Sequence, residues 1–237
     1  NELCFDDYVI EKFKNDYDDY NMGVKYNQTF VNDDGKTVSQ YFKLYSDNIK
    51  AFGIDAKSVG WGTKEKQDLR FEKLMDVVLD RDSAFSINEL GCGYGELIKF
   101  CEAQKIQISE YFGYDLSVGM INAAKKYIGA PNVKLFQSGT IHTKADYTIA
   151  SGIFNVKFNE EKENWEAYVL DTITHMFDNS AKGISFNFLT KYVDWEEDGL
   201  FYKDPMEIFD FCKKNLSKKV NLIHDYDLYE FTIQIIK

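Results

Sequence analysis

The chain has 237 residues, of which 44% are hydrophobic, and it carries a formal net charge of −11 at pH 7. This length supports one sizeable core and is too short for several full domains. The acidic balance excludes a broad nucleic-acid surface, because a phosphate backbone is bound by clustered lysine and arginine. The sequence also lacks the apolar run of roughly 20 residues that crosses a bilayer and the order of a signal peptide. We therefore expect a soluble cytoplasmic protein that binds neither nucleic acid nor membrane.

The first part of the chain, residues 1–82, shows helical periodicity and many tyrosines. Three stretches carry apolar residues three and four apart, at 6–20, 38–52 and 63–79. A polar stretch at 27–37 separates the first two and predicts a mobile loop. We predict that residues 1–82 form a helical appendage to a core of residues 83–237. It either closes over the core as a lid or packs against one face of its sheet.

From residue 83 onward, short β-branched and aromatic runs alternate with helical periodicity, as in a parallel sheet covered by helices. This predicts an α/β fold. The last two runs are joined by about four residues, too few for a crossover helix, so they form an antiparallel hairpin. The predicted strands are 86–90, 111–115, 133–137, 147–152, 184–189, 220–224 and 229–236, with named helices at 117–129 and 163–180.

A glycine-rich turn, ELGCGYG at 89–95, joins the first strand to the next helix. A turn in this position lies at the carboxyl end of a strand, where open α/β sheets bind ligands. The glycines of a dinucleotide-binding GxGxxG fingerprint cradle a pyrophosphate. The spacing here is GxGxG, and Glu89 precedes it. A carboxylate in this place repels a pyrophosphate and attracts a cationic amino-acid ligand.

A second acid, Asp115, ends the second predicted strand. An acid in this position can accept hydrogen bonds from both hydroxyls of a ribose. A ligand with a ribose, no phosphate and a positive amino group therefore fits both acids. S-adenosylmethionine has this chemistry, so we predict it as the cofactor.

The chain resembles the class I S-adenosylmethionine-dependent methyltransferases. ELGCGYG is similar to the first motif of that family and GYDLS, at 113–117, to its second. The resemblance covers the chain from about residue 60 to the end and implies a Rossmann-like sheet of seven strands with an antiparallel last strand. More narrowly, the segments 59–74 and 224–232 resemble methyltransferases of bacterial surface-polysaccharide clusters, which make capsule and O-antigen.

The resemblance also implies which residues bind the cofactor. Glu89 and the glycine turn would line its methionine part, Asp115 would hold the ribose, and Leu116 and Met120 would pack against the adenine. The implied cofactor-binding residues are Glu89, Gly91, Cys92, Gly93, Asp115, Leu116, Met120, Ser138, Gly139, Thr140 and Ser151.

The loop after the third predicted strand departs from the family pattern. The family often has Gly-Asp there, and the acid meets the adenine amino group. This chain has Thr140 in place of that acid. The contact with the adenine is then left to Ser138 or Gln137.

The segment at 59–71, VGWGTKEKQDLRF, has a physical interpretation of its own. Trp61 lies between two glycines, on a pliable loop that can close over a bound ligand. Arg70 matches a carboxylate with two parallel hydrogen bonds. We predict that both residues bind the cofactor and that Arg70 pairs with the carboxylate of the cofactor. The alternative for Arg70 is an ion pair with a neighbouring acid.

Methyl transfer is an in-line displacement, so it needs alignment, and a base where the acceptor is a hydroxyl. His224 ends the sixth predicted strand on the edge of the glycine turn, and we predict it as the base or an acceptor-positioning group. The alternative is a histidine that closes the hairpin. No metal site is predicted, because Asp225 and Asp227 lie in a turn without further converging ligands. The predicted acceptor-binding residues are Asn155, Asn187, Tyr192 and Tyr226.

These features together predict a methyltransferase that acts on an oxygen or nitrogen of a small molecule, a sugar or other precursor of capsule. One alternative is methylation of a phosphate- or phosphoramidate-type group. Another is a cofactor-binding partner domain without turnover. The GxGxG spacing and Glu89 disfavour a nicotinamide-dependent oxidoreductase. A homodimer and additional domains are both compatible with the sequence.

Overall fold

The computed structural model describes residues 36–237. The predicted helix at 6–20 and most of the predicted loop at 27–37 lie outside the described residues. The helix predicted at 38–52 is confirmed, and it begins two residues earlier than predicted.

Within the described residues, two α-helices and a short 3-10 helix precede the sheet. Helix α1 spans Lys36–Phe52, the 3-10 helix spans Ala56–Val59, and α2 spans Lys64–Met75. The Thr63 hydroxyl accepts a hydrogen bond from the Lys66 amide and so caps α2 at its start. Helix α2 ends four residues before the predicted end, and the apolar residues Val77 and Val78 are buried in the turn that follows.

The remaining elements alternate strands and helices up to β5. They are β1 Phe85–Leu90, α3 Glu96–Ala103, β2 Ile108–Asp115, α4 Val118–Tyr127, β3 Val133–Gln137, β4 Ala145–Ala150, α5 Lys162–Asp178, β5 Ser180–Thr190, β6 Tyr202–Lys203, α6 Pro205–Asn215, β7 Lys219–Ile223 and β8 Glu230–Ile236.

The strands form a single sheet in the order β3-β2-β1-β4-β5-β8-β7, and the short β6 pairs with the end of β5. Strand β8 runs antiparallel to both of its neighbours, β5 and β7. The order reverses between β1 and β4, which places a topological switch point there. All seven predicted strands and the antiparallel hairpin are confirmed. The one further strand of the described residues, β6, was not predicted. It has only two residues, which is too short for a periodic pattern in the sequence.

Apolar clusters cover both faces of the sheet. One face packs against α5 and α6, through residues such as Trp165, Ile173 and Ile208. The other face packs against α2, α3 and α4, and Leu74 of α2 is fully buried there. Helix α2 thus shares its cluster with the strands, while the division into units 1–82 and 83–237 stays a prediction. Within residues 36–237, no helix is both long and apolar enough to span a membrane.

A third, smaller cluster lies over the carboxyl edge of the sheet. It joins Ala56 and Trp61 from the first part of the chain to Val156 and Leu200, which pair through an isolated antiparallel bridge. Loops that precede β1, follow β4 and follow β5 therefore cover this edge together.

The closest backbone approach in the sheet occurs at Gly183 of β5. A Cβ atom there would lie 2.6 Å from the Ile235 carbonyl oxygen, which belongs to the paired strand β8 and cannot move aside. We expect Gly183→Ala to lower the free energy of unfolding by about 1–3 kcal/mol, as overpacking does. Urea denaturation measures this.

Gly129 supplies the matched control, because a Cβ atom there would have no heavy atom within 4 Å. Gly129→Ala should change the free energy of unfolding by less than about 0.5 kcal/mol. Equal losses in the two variants would contradict the close approach at Gly183.

Candidate functional site

A cavity opens at the carboxyl edge of the sheet, beside the switch point between β1 and β4. Its walls come from the turns after β1, β2, β3 and β4, from α1, α2 and α5, and from the 3-10 helix and the turn that follows it. The lining residues are Tyr45, Val59, Trp61, Gln67, Phe71, Glu89, Leu90, Gly91, Cys92, Gly93, Tyr94, Glu96, Asp115, Leu116, Ser117, Met120, Ser138, Gly139, Ser151, Gly152, Ile153, Trp165 and Tyr168.

The glycine turn brings bare backbone to this cavity. Gly91 and Gly93 have φ values of +77° and +53°, which side-chain-bearing residues rarely adopt. A Cβ atom at Gly91 would lie 2.2 Å from Ile153 Cγ2, and one at Gly93 would lie 2.8 Å from Val59 Cγ1. Side chains at these positions would therefore collide with the opposite walls of the cavity.

Backbone hydrogen bonds hold the turn against the end of β2. The Gly91 and Cys92 amides both donate to the Tyr114 carbonyl, over 2.7 Å and 2.9 Å. The Gly93 amide donates to Asp115 Oδ2 over 2.9 Å. Hydrogen bonds thus join the turn that follows Glu89 to the end of β2 at Asp115.

Glu89 is the first of two acids in the cavity wall whose pKa values are raised. Its side chain is 2% exposed, and Oε2 accepts a short hydrogen bond from the Tyr111 hydroxyl. Burial raises the pKa of Glu89 to about 8; the Tyr111 hydrogen bond opposes this rise, and the charges of Asp115 and Glu96 add to it. A cation in the cavity would favour the ionised carboxylate and lower this pKa.

Asp115 is the second acid. Its Oδ1 accepts from the Ser117 amide over 2.8 Å, while Oδ2 holds Gly93 as described. Burial raises the pKa of Asp115 to about 6, although both backbone hydrogen bonds lower it. The carboxylate is therefore fixed in direction and still electrostatically unsatisfied.

The side chains with an ordinary charge that line the cavity are all acidic. The described lining residues include three carboxylates, those of Glu89, Glu96 and Asp115, and no lysine or arginine. Glu96 is partly neutralised by Lys64, whose Nζ lies 3.1 Å from Oε1. Burial and the neighbouring carboxylates raise the pKa of the Cys92 thiol well above its ordinary value, so this thiol stays neutral.

Residues that precede the sheet complete the wall. Tyr45 of α1 lines the cavity, and next to it the Ser46 and Ser117 hydroxyls lie 3.1 Å apart. Gln67 of α2 lines the cavity too, and its Oε1 accepts from the Tyr94 hydroxyl over 3.3 Å. The first part of the chain therefore contributes directly to the site.

Most of the predicted cofactor-binding residues line this cavity together. Those that do are Trp61, Glu89, Gly91, Cys92, Gly93, Asp115, Leu116, Met120, Ser138, Gly139 and Ser151. The Ser151 hydroxyl is buried without a hydrogen-bond partner, so it is open to a polar ligand atom. The structure places the other two predicted cofactor residues, Arg70 and Thr140, elsewhere.

Arg70 is not part of the cavity wall. Its Nε lies 3.0 Å from both carboxylate oxygens of Glu230, and its Nη2 lies 2.6 Å from Oε1. This is the alternative considered for Arg70, an ion pair, but the pair is buried and its acid lies 160 residues away in the chain. The geometry does not support Arg70 as a ligand for a cofactor carboxylate.

Thr140 closes a turn beside the cavity. Its amide donates to the Ser138 hydroxyl over 3.1 Å, and that hydroxyl also lies 2.9 Å from His142 Nε2. Gln137, the other residue considered for the adenine contact, is exposed. Of the two residues considered for the adenine contact, Ser138 therefore lines the cavity and Gln137 does not.

The predicted acceptor residues do not gather at the cavity. Asn155 and Asn187 are buried, and each accepts a backbone hydrogen bond, from Leu189 over 3.1 Å and from Gly152 over 2.7 Å respectively. Tyr192 is 59% exposed, outside the cavity wall. The Tyr226 hydroxyl lies 2.9 Å from Thr232 Oγ1, in the hairpin. Asn155 and Asn187 organise loops, and the two tyrosines lie on the far side of β5.

His224 lies on the expected edge of the sheet but far along it. It is exposed, with its ring between those of Tyr192 and Phe231, at centroid distances of 5.9 Å and 6.0 Å. The strand before it, β7, is separated from β4 by β5 and β8, which is roughly 14 Å at about 4.8 Å per strand. The structure therefore does not bring His224 to the cavity, and no histidine occurs among the described lining residues.

Sequence reasoning did not assign six large side chains of the wall to the site, namely Tyr45, Gln67, Phe71, Tyr94, Trp165 and Tyr168. Gln67 stands one turn before Arg70 on α2, so the helical spacing itself was a usable signal. Trp165 and Tyr168 are adjacent on one face of α5, with ring centroids 4.8 Å apart. Their apolar pattern is equally typical of ordinary packing, so it gave no distinct signal.

No protein-family model matches the sequence. The chain is 41% identical over 163 residues to "Putative methyltransferase Rv1506c" from Mycobacterium tuberculosis, an alignment that covers 68% of this chain and 98% of that protein. Among solved structures, magnesium protoporphyrin IX methyltransferase (ChlM) from Synechocystis PCC 6803 with bound SAM is similar at a TM-score of 0.58 and 14% identity, covering 90% of this chain and all of that one. The DhpI-SAM-HEP complex is similar at a TM-score of 0.59 and 12% identity, covering 88% of this chain and all of that one. This chain therefore belongs to the S-adenosylmethionine-dependent methyltransferases and has their class I fold.

Proposed function

We propose that this protein transfers the methyl group of S-adenosylmethionine to an oxygen or nitrogen of a small-molecule acceptor, using the cavity at the switch point. The observation that carries the proposal is the composition of the cavity wall. Two carboxylates with raised pKa values, the buried Glu89 and the half-buried Asp115, face a space with no lysine or arginine among its described lining residues. Such a wall favours a cationic ligand and disfavours a pyrophosphate.

The residues present fit the cofactor part by part. Asp115 presents a fixed carboxylate for ribose hydroxyls, and Glu89 one for an ammonium group. The bare backbone at Gly91 and Gly93 leaves room that a Cβ atom would take. Ser151 supplies a buried hydroxyl without a partner.

When bound, the cofactor supplies an electrophilic methyl group on a sulfonium. The chain's own residues bind, orient and exclude water. Glu89 and Asp115 fix the two polar ends of the cofactor, while Leu116 and Met120 give an apolar surface between β2 and α4. Trp61 is 5% exposed and closes the wall on the side of β4.

For the acceptor we propose a sugar or another precursor of surface polysaccharide, handled in the cytoplasm. This rests on the resemblance of the segments at 59–74 and 224–232 to methyltransferases of polysaccharide clusters. A test combines calorimetry with S-adenosylhomocysteine, using NAD as the negative ligand, and transfer of a labelled methyl group to a panel of nucleotide-linked and free sugars. No S-adenosylhomocysteine binding would refute the proposed function, and transfer only to other acceptors would refute the acceptor class.

Removal of the ribose acid gives the sharpest check of the cofactor site. Asp115→Ala should raise the Kd for S-adenosylhomocysteine by about 10- to 100-fold, because hydrogen bonds to a charged group contribute roughly 1.5–3 kcal/mol. Asp115→Asn should lie between this variant and wild type, because it keeps the shape and loses the charge. Calorimetry gives the affinities.

Asp146 provides the control, because it is a half-buried carboxylate that also accepts a backbone hydrogen bond. Its Oδ2 accepts from the Ser86 amide over 3.0 Å at the start of β4, on the opposite edge of the sheet. Asp146→Ala should leave the affinity unchanged. Similar losses for the variants at 115 and 146 would indicate a general effect on the fold and would count against the ribose contact.

The raised pKa values predict that cofactor affinity depends on pH. Below pH 6 both Asp115 and Glu89 are largely neutral in the ligand-free protein, since their pKa values are about 6 and about 8. Because the cation binds the ionised forms, affinity should rise with pH, by up to about tenfold per pH unit for each proton released. Calorimetry between pH 5.5 and 7.0 tests this, in a range where an α-amino group, with its pKa near 7.7–8.0, stays charged.

Glu89→Gln should flatten most of this profile, and it should resemble wild type most closely at pH 5.5, where Glu89 itself is neutral. The number of protons released follows from repeating the titration in buffers of different ionisation enthalpy. A wild-type profile that is flat, or that falls as pH rises, would show that the carboxylates do not titrate with binding.

The position of His224 gives a prediction on catalysis. Because this residue lies roughly three strand spacings from β4, His224→Ala should leave kcat within about threefold of wild type. Removal of a general base would cost roughly 100-fold or more. Methyl transfer to the acceptor identified by the sugar panel measures the difference, and a 100-fold loss at unchanged S-adenosylhomocysteine affinity would restore His224 as the base.

A further inference from the structure

A buried ion pair joins the first part of the chain to its last strand. Arg70 of α2 and Glu230 of β8 are 1% and 0% exposed, and two guanidinium nitrogens contact the carboxylate. Arg70 also donates from Nη1 to the Lys66 carbonyl over 2.9 Å. The two residues come from the segments 59–74 and 224–232, and the function described above assigns neither of them a role.

The pair reaches the cavity along two routes. Along the first, the Arg70 guanidinium stacks on the Trp61 ring, with Cζ 3.8 Å from the ring centroid. Along the second, Asn187 donates from Nδ2 to Glu230 Oε2 over 2.5 Å and accepts at Oδ1 from the Gly152 amide over 2.7 Å. Trp61 and Gly152 both line the cavity.

The two routes end on residues that touch each other. A Cβ atom at Gly152, where φ is +72°, would lie 2.4 Å from Trp61 Cη2, so the ring rests directly on the Gly152 backbone. The contacts therefore form a ring, which runs through Trp61, Arg70, Glu230, Asn187 and Gly152 and back to Trp61. A closed set of contacts fixes the orientation of the ring as well as its position.

Stability alone does not account for this arrangement. Burying two charges costs desolvation that their attraction repays only partly, and apolar residues of similar size are often equally stable. An apolar pair would still fill the space between α2 and β8. It would lack the planar fork that orders Arg70 beneath the Trp61 ring and the carboxylate that directs Asn187 toward Gly152.

We propose that Arg70, Glu230 and Asn187 are positioning residues that hold Trp61 and Gly152 as a rigid wall on the β4 side of the cavity, against which the acceptor lies. The inference rests on the proposed function, in which Asp115 binds the ribose and Leu116 and Met120 give the apolar surface beside it. The wall formed by Trp61 and Gly152 is then the part of the cavity left for the acceptor. Its rigidity would determine which acceptors align with the methyl group.

The test follows the Trp61 ring directly. The chain contains three tryptophans, so labelling with 5-fluorotryptophan gives three fluorine NMR resonances, assigned with Trp61→Phe and Trp195→Phe. The main variant replaces both charges, Arg70→Met with Glu230→Met. We expect it to unfold cooperatively on heating and to bind S-adenosylhomocysteine within about twofold of wild type, because the distant acids are unchanged. Its Trp61 resonance should broaden or split, where wild type gives one sharp line.

A second ion pair supplies the matched control. Lys203 is also buried and pairs with Glu166, away from the cavity wall. Lys203→Met with Glu166→Met should leave the Trp61 resonance unchanged. A further variant, Asn187→Ser, keeps the Arg70–Glu230 pair and removes the contact with Gly152, so it should also disturb the Trp61 resonance.

The outcomes separate positioning from stability. A sharp Trp61 resonance of wild-type shift in the folded Arg70/Glu230 double variant would overturn the proposal. If that variant does not fold, Asn187→Ser decides by the same criterion. The resonance is read in the ligand-free protein, so its result stands apart from the proposed function, which fails only if wild type does not bind S-adenosylhomocysteine.

Discussion

The attachment of the glycine turn to the end of β2 is the constraint on which the site depends. Two amides of the turn share the Tyr114 carbonyl, and the Gly93 amide is bound by Asp115. These bonds require backbone at 91 and 93 in the left-handed region, which only glycine adopts without strain. They also fix the direction of the Asp115 carboxylate. The same short contacts therefore shape one wall of the cavity and orient the Asp115 carboxylate.

The acids make this part of the fold costly without a ligand. Glu89 is buried and Asp115 is half-buried, and desolvation raises the pKa of both carboxyls, which makes their ionised forms less favourable than in water. A cationic cofactor would thus bind more strongly because its charge offsets the desolvation of these carboxylates. Hydrogen bonds from Tyr111 and from backbone amides limit that cost and keep the carboxylates in place. The proposed function accounts for two such acids at this edge of the sheet.

The sequence predicted what depends on local pattern and on strand direction. Alternation and β-branched residues predicted all seven main strands, and the glycine spacing with Glu89 and Asp115 predicted residues that the structure brings together in one cavity. The sequence could not predict contacts between distant segments. Arg70 was expected at the cofactor because a guanidinium matches a carboxylate, but its partner is Glu230, 160 residues away. His224 was placed on the correct edge of the sheet, but strand direction does not state how many strands intervene. Helix α6 was not named, although Asp204 and Pro205 are ordinary signals for a helix start.

In the proposed function, the acceptor side of the cavity is built differently from the cofactor side. The cofactor side consists of consecutive strand ends, so its residues follow one another in short motifs. The wall formed by Trp61 and Gly152 joins a turn before β1 to a turn after β4, with the Arg70–Glu230 pair between α2 and β8 behind it. A change at any one of these places shifts the wall without altering the motifs. This arrangement allows acceptor preference to change while the cofactor site stays the same, because the two sides share few residues.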